Sequence, residues 1–481
     1  MVRGSTFEYL AGIVSGKMVE LYPKFKTHRY GLRDKIEQRG KVAHLCDLFC
    51  RSVCGDDIYI LMDEDKRLHA YNGEYYELVG GLDFLVELAK RVLEKLGVGS
   101  VYRYFATKLM AKEANSSISH NEQCVFVPDR RYIAFSNGIF DLNDGSLKKF
   151  HRRYCTDIVL DIPYNVNASC LTWDIKIKEI IPNKDMLNAF QMFCGTFLVK
   201  RDELKIEYIC YLIGSGSNGK SVISSAVANV FGEQYFGRFT PYDLFKASDS
   251  KVNMAALDGK IGNLTDDLDR QDISGGAFKR FISGEKFQAR RLYGNPFLVQ
   301  APVMLCCTNT MPESSDDTWG HHRRQLPIMT TRIQYGKDRE KDPFLSMKLQ
   351  TEEARQRIFN WIYEGYKKVM RNNGDIKLPA YVKDIQRELM MDSSSARRWY
   401  RDSGYIAVTP DGNDDPRWNT LQHWYNDYVR YAKESGDLDI KTKGDVSKML
   451  ADLGCVRKRK SSCMYYCIGI KEEKEDEDEF I

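Results

Sequence analysis

The segment from Ile206 to Phe231 restricts what this chain can fold into more than any other stretch. A largely apolar run, Ile206-Glu-Tyr-Ile-Cys-Tyr-Leu-Ile213, reads as a buried strand. Gly214-Ser-Gly-Ser-Asn-Gly-Lys-Ser221 follows at once and matches G-x-x-x-x-G-K-S/T. Beyond it Val222, Ile223, Ala226, Val227, Val230 and Phe231 recur at helical spacing. In a strand, loop and helix of this kind, glycines let backbone N–H groups converge on phosphates at a helix N-terminus. The candidate nucleotide-binding residues are therefore Gly214, Ser215, Gly216, Ser217, Asn218, Gly219, Lys220 and Ser221. Lys220 supplies a point charge to the β- and γ-phosphates, and the Ser221 hydroxyl suits Mg²⁺. The expected ligands are ATP and Mg²⁺. A fortuitous glycine turn would explain the loop but not its flanks.

Such a site needs carboxylates at a neighbouring strand end. Ile261-Gly-Asn-Leu-Thr-Asp266-Asp267 supplies two, with Asp266 expected to hold the metal and Asp267 to orient or deprotonate the attacking water. An exposed acidic turn is the plain alternative, since Gly262 and Asn263 weaken the strand. Asp269 and Asp272 follow no strand-like run. A third element, Pro302-Val-Met-Leu-Cys-Cys-Thr-Asn309, is a buried strand ending in an amide that can hold water or sense a γ-phosphate. Beyond Asp316-Asp317, the pair Arg323-Arg324 is a candidate arginine finger for a neighbouring subunit's nucleotide, with ordinary surface arginines as the alternative.

The order and spacing of these elements resembles the superfamily III helicases. The likeness is greatest to the C-terminal module of phage and plasmid primases and of poxvirus-type primase-helicases. It rests on Gly214–Ser221, Gly259-Lys260 leading to Asp266-Asp267, Lys279-Arg-Phe-Ile-Ser-Gly284-Glu285 with Ala289-Arg290-Arg291-Leu-Tyr293, Thr308-Asn309 with Pro312, and Arg323-Arg324 with Pro327-Ile328. Upstream, Asn137-Gly138-Ile-Phe-Asp141-Leu, Pro163-Tyr164 and Trp173 look like the helical domain that precedes the ATPase in that family. Downstream, Ile358-Phe-Asn-Trp361-Ile-Tyr-Glu-Gly365 resembles its lid helix. The family usually carries Glu where Asp267 stands, and residues 1–60 hold no primase acidic motif. The resemblance thus implies a stand-alone helicase with priming delegated to a partner. It also implies a hexameric ring with nucleotide between subunits and 3′→5′ movement.

The length of 481 residues argues for about three domains. The expected class is α/β, a P-loop ATPase core of the AAA+ type between a helical N-terminal (collar-type) domain and a C-terminal winged helix. The expected division is an N-terminal α+β domain over 1–115, a helical domain over 116–200, the core over 201–345, a helical lid over 346–405, a winged-helix-like domain over 406–470, and an acidic tail over 471–481. Asn72-Gly73 and Asn143-Asp-Gly145 are hairpin signals. No 20–50-residue repeat is visible, which argues against a solenoid or propeller. The longest apolar run, Phe297 to Cys307, is far shorter than the ~20 residues that cross a bilayer. Met1-Val-Arg-Gly-Ser opens no apolar signal core, and thirteen scattered cysteines read as no disulfide framework. The expectation is a soluble protein of a reducing cytoplasm, that of the host if phage-encoded, with no membrane partner.

Formal net charge is only +4, but residues 471–481 hold seven acids and two lysines, a net of −5 that leaves +9 on the other 470. A basic body suggests a nucleic-acid partner. Lys279-Arg-Phe-Ile-Ser-Gly-Glu-Lys-Phe-Gln-Ala-Arg-Arg291 carries five basic residues against one acid, and Tyr293 offers a stacking face. By resemblance this is the hairpin that grips single-stranded DNA in the channel of the ring, through Lys279, Lys286, Arg290, Arg291 and Tyr293. For Lys279 a contact to nucleotide or to a neighbouring subunit is the alternative. At the C-terminus, Leu421, Trp424, Tyr425 and Tyr428 form one helical stripe, and Val446, Met449, Leu450 and Leu453 a second. Arg457-Lys458-Arg459-Lys460 then reads as a basic wing suited to duplex backbone. Cys46, Cys50 and Cys54 share one helix face and Cys463 and Cys467 lie four apart, but regular spacing of this kind fits a buried helix face better than a metal knuckle. The leading functional expectation is an ATP-hydrolysing replicative helicase or translocase on single-stranded and forked DNA. An origin-binding initiator whose ATP site controls assembly, and a remodeller of proteins, are the alternatives.

Overall fold

The computed structural model describes residues 4–22, 35–54, 59–98, 100–266, 275–312, 318–334, 336–392, 394–437 and 440–471. Asp267, Asp269, Asp272, Asp316, Asp317 and the tail beyond Lys471 lie outside them. The chain divides into two compact units, residues 1–167 and 168–481. Among the described residues no helix is long and apolar enough to cross a membrane.

In the first unit, helices Gly4–Leu21, Lys35–Cys54, Leu82–Lys95 and Ser100–His120 surround an antiparallel sheet of Ile60–Met62, Leu68–Tyr71 and Tyr76–Gly80. Leu82–Lys95 shows why this core forms. Phe84, Leu85, Leu88, Ala89, Val92 and Leu93 make one apolar stripe, all buried. The Asn72-Gly73 signal lies in the turn between the second and third strands, with Gly73 at φ +104°. A second small sheet joins Tyr132–Phe135, Gly138–Asp141 and Leu147–Lys148 around the other expected turn. Residues 121–167 therefore carry strands and loops, and they belong to the same compact unit as the N-terminal helices. Bonds such as Phe126 N–H to Met62 O (2.8 Å) tie them to it.

The second unit is built on a five-stranded sheet in which every neighbouring pair is parallel. Across the sheet the strands run Gln325–Met329, Ile209–Ile213, Val303–Thr308, Gly262–Thr265 and Phe236–Gly237. The earliest strand thus sits between the two latest. Both faces of the sheet are covered, so Ile209–Ile213, Val303–Thr308 and Gly262–Thr265 are buried throughout, as parallel strands require. Gly262 and Asn263, which weaken the third strand by propensity, fit here for a packing reason. A Cβ on Gly262 would fall 2.4 Å from the Phe236 ring, and the Asn263 amide closes two bonds to the Phe239 backbone.

Helix Glu352–Arg371 holds this layer to the preceding helices. Thr351 caps it, Glu352 and Glu353 sit in its first turn, and Lys368 and Arg371 in its last, all favourable to the helix dipole. It crosses helix Lys184–Gly195 at two glycines, backbone against backbone. A Cβ on Gly365 would lie 1.9 Å from Gln191 O, and one on Gly195 would lie 2.1 Å from Tyr366 N. Trp361 meets Trp173 edge to face at 5.3 Å beside this crossing. Gly365→Ala should therefore destabilise the unit although alanine is the better helix former by about 1 kcal/mol. Forcing the helices apart costs roughly 1–3 kcal/mol or more, and a lower urea midpoint with an unchanged slope is the expected reading.

At the C-terminal end, Cys463–Ile470 is the central strand of a small antiparallel sheet, with Val456–Lys460, Trp418–Thr420 and Tyr405–Ala407 as its partners. Helices Leu421–Glu434 and Lys443–Asp452 cover it, the second opened by a Thr442–Asp445 capping box. Ser395–Asp402, expected to belong with the lid, packs Ala396, Trp399 and Tyr400 into this same core. Its Trp399 Nε1 donates to Asp427 at 3.0 Å.

Candidate functional site

The loop after Ile213 turns through two left-handed residues, Ser217 at φ +61° and Gly219 at φ +91°, before helix Lys220–Phe231 begins. Gly219 is the helix N-cap and tolerates that angle without strain. Gly214 is required by crowding, since an added Cβ would lie 2.2 Å from Thr330 Oγ1 and 2.3 Å from Asn218 Nδ2. At Gly216 an added Cβ would meet nothing within 4 Å, so the space above that residue is open. The backbone N–H groups of residues 215–219 have no hydrogen-bond partner among the described residues. Five such donors at the start of a helix form a cradle for an anion, which is the test a phosphate ligand must pass.

Lys220 is almost wholly buried beneath this loop. Its Nζ donates to Gly214 O (2.6 Å), Ser215 O (3.1 Å) and Asn218 Oδ1 (3.0 Å), and reaches Asn309 Oδ1 at 3.4 Å. Asn218 in turn donates from Nδ2 to Thr330 Oγ1 at 2.6 Å and to Thr331 O at 3.2 Å. Thr330 closes the chain of contacts by donating from both N–H and Oγ1 to Ile213 O, each at 2.8 Å. Gly214 N–H bonds Thr308 O at 3.2 Å. The ends of three adjacent strands thus meet under the loop, and they bring Lys220 and Asn309 together. Ser221, on the first turn of the helix, is exposed.

Asp266, at the end of the fourth strand across, is 40% exposed and pairs with Arg238 at 3.4 Å. It also acts on Cys307, which lies below the loop. Burial above all pushes that thiol up to about 12; a bond with Ser224 works against this, while the Asp266 carboxylate raises it further and the Lys220 charge lowers it. Asp267, the expected partner of Asp266, lies outside the described residues.

Arg323 and Arg324 lie elsewhere. They precede strand Gln325–Met329, whose first residue pairs with Ile209, whereas the loop follows Ile213 opposite Met329. Five residues at about 3.3 Å each put the arginines roughly 16 Å from the loop along the sheet. There both close on Glu207, Arg323 at 2.7 Å and Arg324 at 3.0 Å. Arg324 is the more buried, 13% exposed against 40%, and also bonds Gly320 O and Ser283 Oγ. Burial works to raise the Glu207 carboxyl, but bonds from Arg323 and Ser283 and the charges of both arginines outweigh it and hold it at about 2.

The basic segment forms a two-stranded hairpin, Lys286–Arg290 against Pro296–Gln300. Ala289 and Val299 face the core, while Lys286, Gln288, Arg290 and Leu298 face solvent. Tyr293 stands at the tip, 100% exposed and at φ +59°. Arg290 braces the turn through Gly294 O at 3.1 Å, and Arg291 pairs with Asp258 at 2.7 Å over the Phe297 ring. Lys279 is not on this hairpin. It lies in helix Gly276–Ile282 and donates to Thr318 Oγ1 at 2.9 Å. On strand Val456–Lys460, Arg457, Arg459 and Lys460 are exposed, and Lys458 lies 4.0 Å over the Trp418 ring. Among the described residues no group of three or more His, Cys, Asp or Glu could hold a metal ion, and all thirteen cysteines are free thiols.

Thr330, Arg238, Glu207 and Ser283 were not among the candidate site residues, although Ser283 lies within the Lys279–Glu285 segment that carries the family resemblance. Of the others only Glu207, an acid inside an apolar strand run, left a signal that could have been read.

Residues 46–182 match the family model described as D5 N terminal like, and residues 212–324 match a family of unknown function, DUF5906. No curated protein matches the chain. Among solved structures, the A form apo structure of the NrS-1 C-terminal region is similar at 11% identity with a TM-score of 0.45, over 86% of this chain and 96% of that one. A second apo structure of the NrS-1 C-terminal region, residues 305–718, gives 10% identity and a TM-score of 0.44, over 85% and 96%.

Proposed function

We propose that this chain is an ATP-driven helicase or translocase that moves on single-stranded DNA as a ring of identical subunits, with a hexamer as the expected size. The starting point is the match of residues 46–182 to the D5 N terminal like model, which supports a phage replication protein of primase-helicase type. One observation carries the reading furthest. Lys220 with its cradle of amides and the Arg323–Arg324 pair lie at opposite ends of the same two paired strands. A nucleotide held on the loop cannot be reached by its own subunit's arginines, so a complete site needs a second copy, with a different patch on each side of the contact.

In this reading the amides of residues 215–219 and Lys220 would bind the phosphates, and the Ser221 hydroxyl and Asp266 would hold Mg²⁺, which would supply charge neutralisation. The Asn309 amide orients the attacking water and Asp267 accepts its proton. An arginine of the next subunit stabilises the charge that develops on the transferred phosphoryl group. The hairpin Lys286–Gln300 then meets the strand, its cations following phosphates and Tyr293 stacking on a base. The basic strand Arg457–Lys460 would meet duplex backbone at a fork, in a winged-helix arrangement. If that strand were the main activity, an initiator would be the better description, and failure to unwind a forked duplex would favour it.

The test is ATPase activity with and without oligo-dT, on material whose mass is measured at the same time by light scattering. Stimulation on a species of several 55.6 kDa chains is the expected result. Hydrolysis indifferent to DNA would favour a protein remodeller. In the same assay Tyr293→Ala should weaken oligo-dT binding about tenfold, the size of one lost base stack, with little effect on folding because the side chain touches nothing that it stabilises.

A further inference from the structure

Glu207 lies just before strand Ile209–Ile213 and its carboxylate is approached from several elements. Arg323 donates to Oε2 at 2.7 Å, Arg324 to Oε1 at 3.0 Å and Ser283 Oγ to Oε1 at 3.0 Å, with Lys205 Nζ at 3.4 Å. Ser283 caps helix Gly276–Ile282 and stands directly before Gly284, whose φ of +72° turns the chain into the first hairpin strand. Both strands of the hairpin are anchored here. Gln300 Nε2 bonds Gly284 O, and Ala301 N–H bonds Glu285 O at 3.3 Å. Arg201, buried beneath, bonds Pro302 O at 3.0 Å, Ile206 O at 2.8 Å and Ile282 O, and fills the space a Cβ on Gly284 would need. The arginine pair and Ser283, at the root of the hairpin, therefore share one carboxylate.

We propose that Glu207 and Ser283 are the positioning residues that couple the arginine pair to the hairpin root, so that nucleotide on one subunit sets the hairpin of the next. This rests on the helicase reading above. Arg323 is the movable member. It is the more exposed arginine, and Glu207 is its one hydrogen-bonded side-chain partner among the described residues. A polyphosphate presented by the neighbour competes with Glu207 for it. Once Arg323 turns to the phosphate, the carboxylate loses one of its two guanidinium partners and closes further on Arg324 and Ser283. Ser283 draws on Gly284, the next residue, whose carbonyl takes the bond from Gln300 at the hairpin root. Arg324, held by Gly320, Ser283 and Glu207, is the fixed end of the lever.

The experiment uses the full chain with ATP and oligo-dT, and reads kcat, KM for ATP, oligo-dT affinity and thermal midpoint for wild type, Ser283→Ala, Ser283→Thr and Glu207→Gln. Coupling between two sites is worth about 5-fold or more where it is functional. Ser283→Ala, which removes one hydroxyl, should therefore cut the oligo-dT stimulation of kcat by about that factor, with KM and oligo-dT affinity unchanged. Glu207→Gln should do the same, and Ser283→Thr should restore most of the stimulation. Stimulation equal to wild type in both Ser283→Ala and Glu207→Gln overturns the coupling alone, as does a loss that follows oligo-dT affinity or thermal midpoint. A wild-type protein with no stimulation at all overturns the helicase reading, and the coupling with it.

Discussion

Lys220→Ala is expected to lower ATP hydrolysis about 10²–10³-fold, the scale on which removing one preorganised charge-stabilising group acts, while the protein remains folded. The residue sits where the loop becomes the helix and is 6% exposed, with Nζ among Gly214 O, Ser215 O, Asn218 Oδ1 and Asn309 Oδ1. Those are the oxygens of the phosphate cradle and the strand-end amide, so the ammonium is already positioned before any ligand arrives. Alanine at the first helical position carries no propensity cost, and the loop keeps its own clamp through Asn218 and Thr330. Phosphate release should fall while the circular dichroism spectrum and thermal midpoint stay near wild type. Hydrolysis retained in a folded variant would remove the nucleotide assignment.

Arg323→Ala should have an effect of comparable or larger size, about 10³-fold or more for an arginine that supplies transition-state charge in trans. Its special feature is that the defect can be repaired by a partner. A subunit lacking Arg323 still has a complete loop, and a subunit lacking Lys220 still has its arginines. In a mixed assembly, contacts that bring the first subunit's loop to the second's arginines are intact. Random mixing in equal amounts makes about a quarter of all head-to-tail contacts of this kind. Each variant alone should be nearly inactive and the mixture should recover a substantial fraction of wild-type hydrolysis. A mixture no more active than its components would mean that the arginines serve only to hold Glu207 within their own chain.

The strand, loop and helix over residues 206–231 were legible in the sequence because their requirements are local. A strand, two glycines with special roles and a lysine at fixed spacing lie within some twenty residues, and the observed strand, N-cap and helix follow that pattern. The same holds for the hairpin at Gly73 and for the stripe of Leu421–Glu434, where turn chemistry and period decide the element, whereas the hairpin at Tyr293 comes from the family resemblance. What was not legible depends on partners far apart in the chain. Asn218 meets Thr330 across 112 residues, and Glu207 meets Arg323 across 116. Thr330 has no property that marks it for such a role, and Glu207 shows only that it is an acid in an apolar run. The same limit explains the placing of residues 121–167. The turn at Asn143-Asp-Gly145 reads as a hairpin inside what is expected to be a helical domain over 116–200, and only a bond such as Phe126 N–H to Met62 O says which core these residues join. Ser395–Asp402 is a parallel case, since Trp399 has an apolar ring that any core would accept and Asp427 selects one.

If complete sites form only between subunits, as proposed above, the opposed placement of loop and arginines also sets how activity should vary with the amount of protein. An open arc of subunits has one fewer complete site than it has members, and only closure supplies the last. A lone chain has none. Turnover per chain is then not a constant of the molecule but rises with concentration, most steeply where arcs give way to rings. Dilution alone would silence the enzyme, without any inhibitor and without unfolding a single subunit.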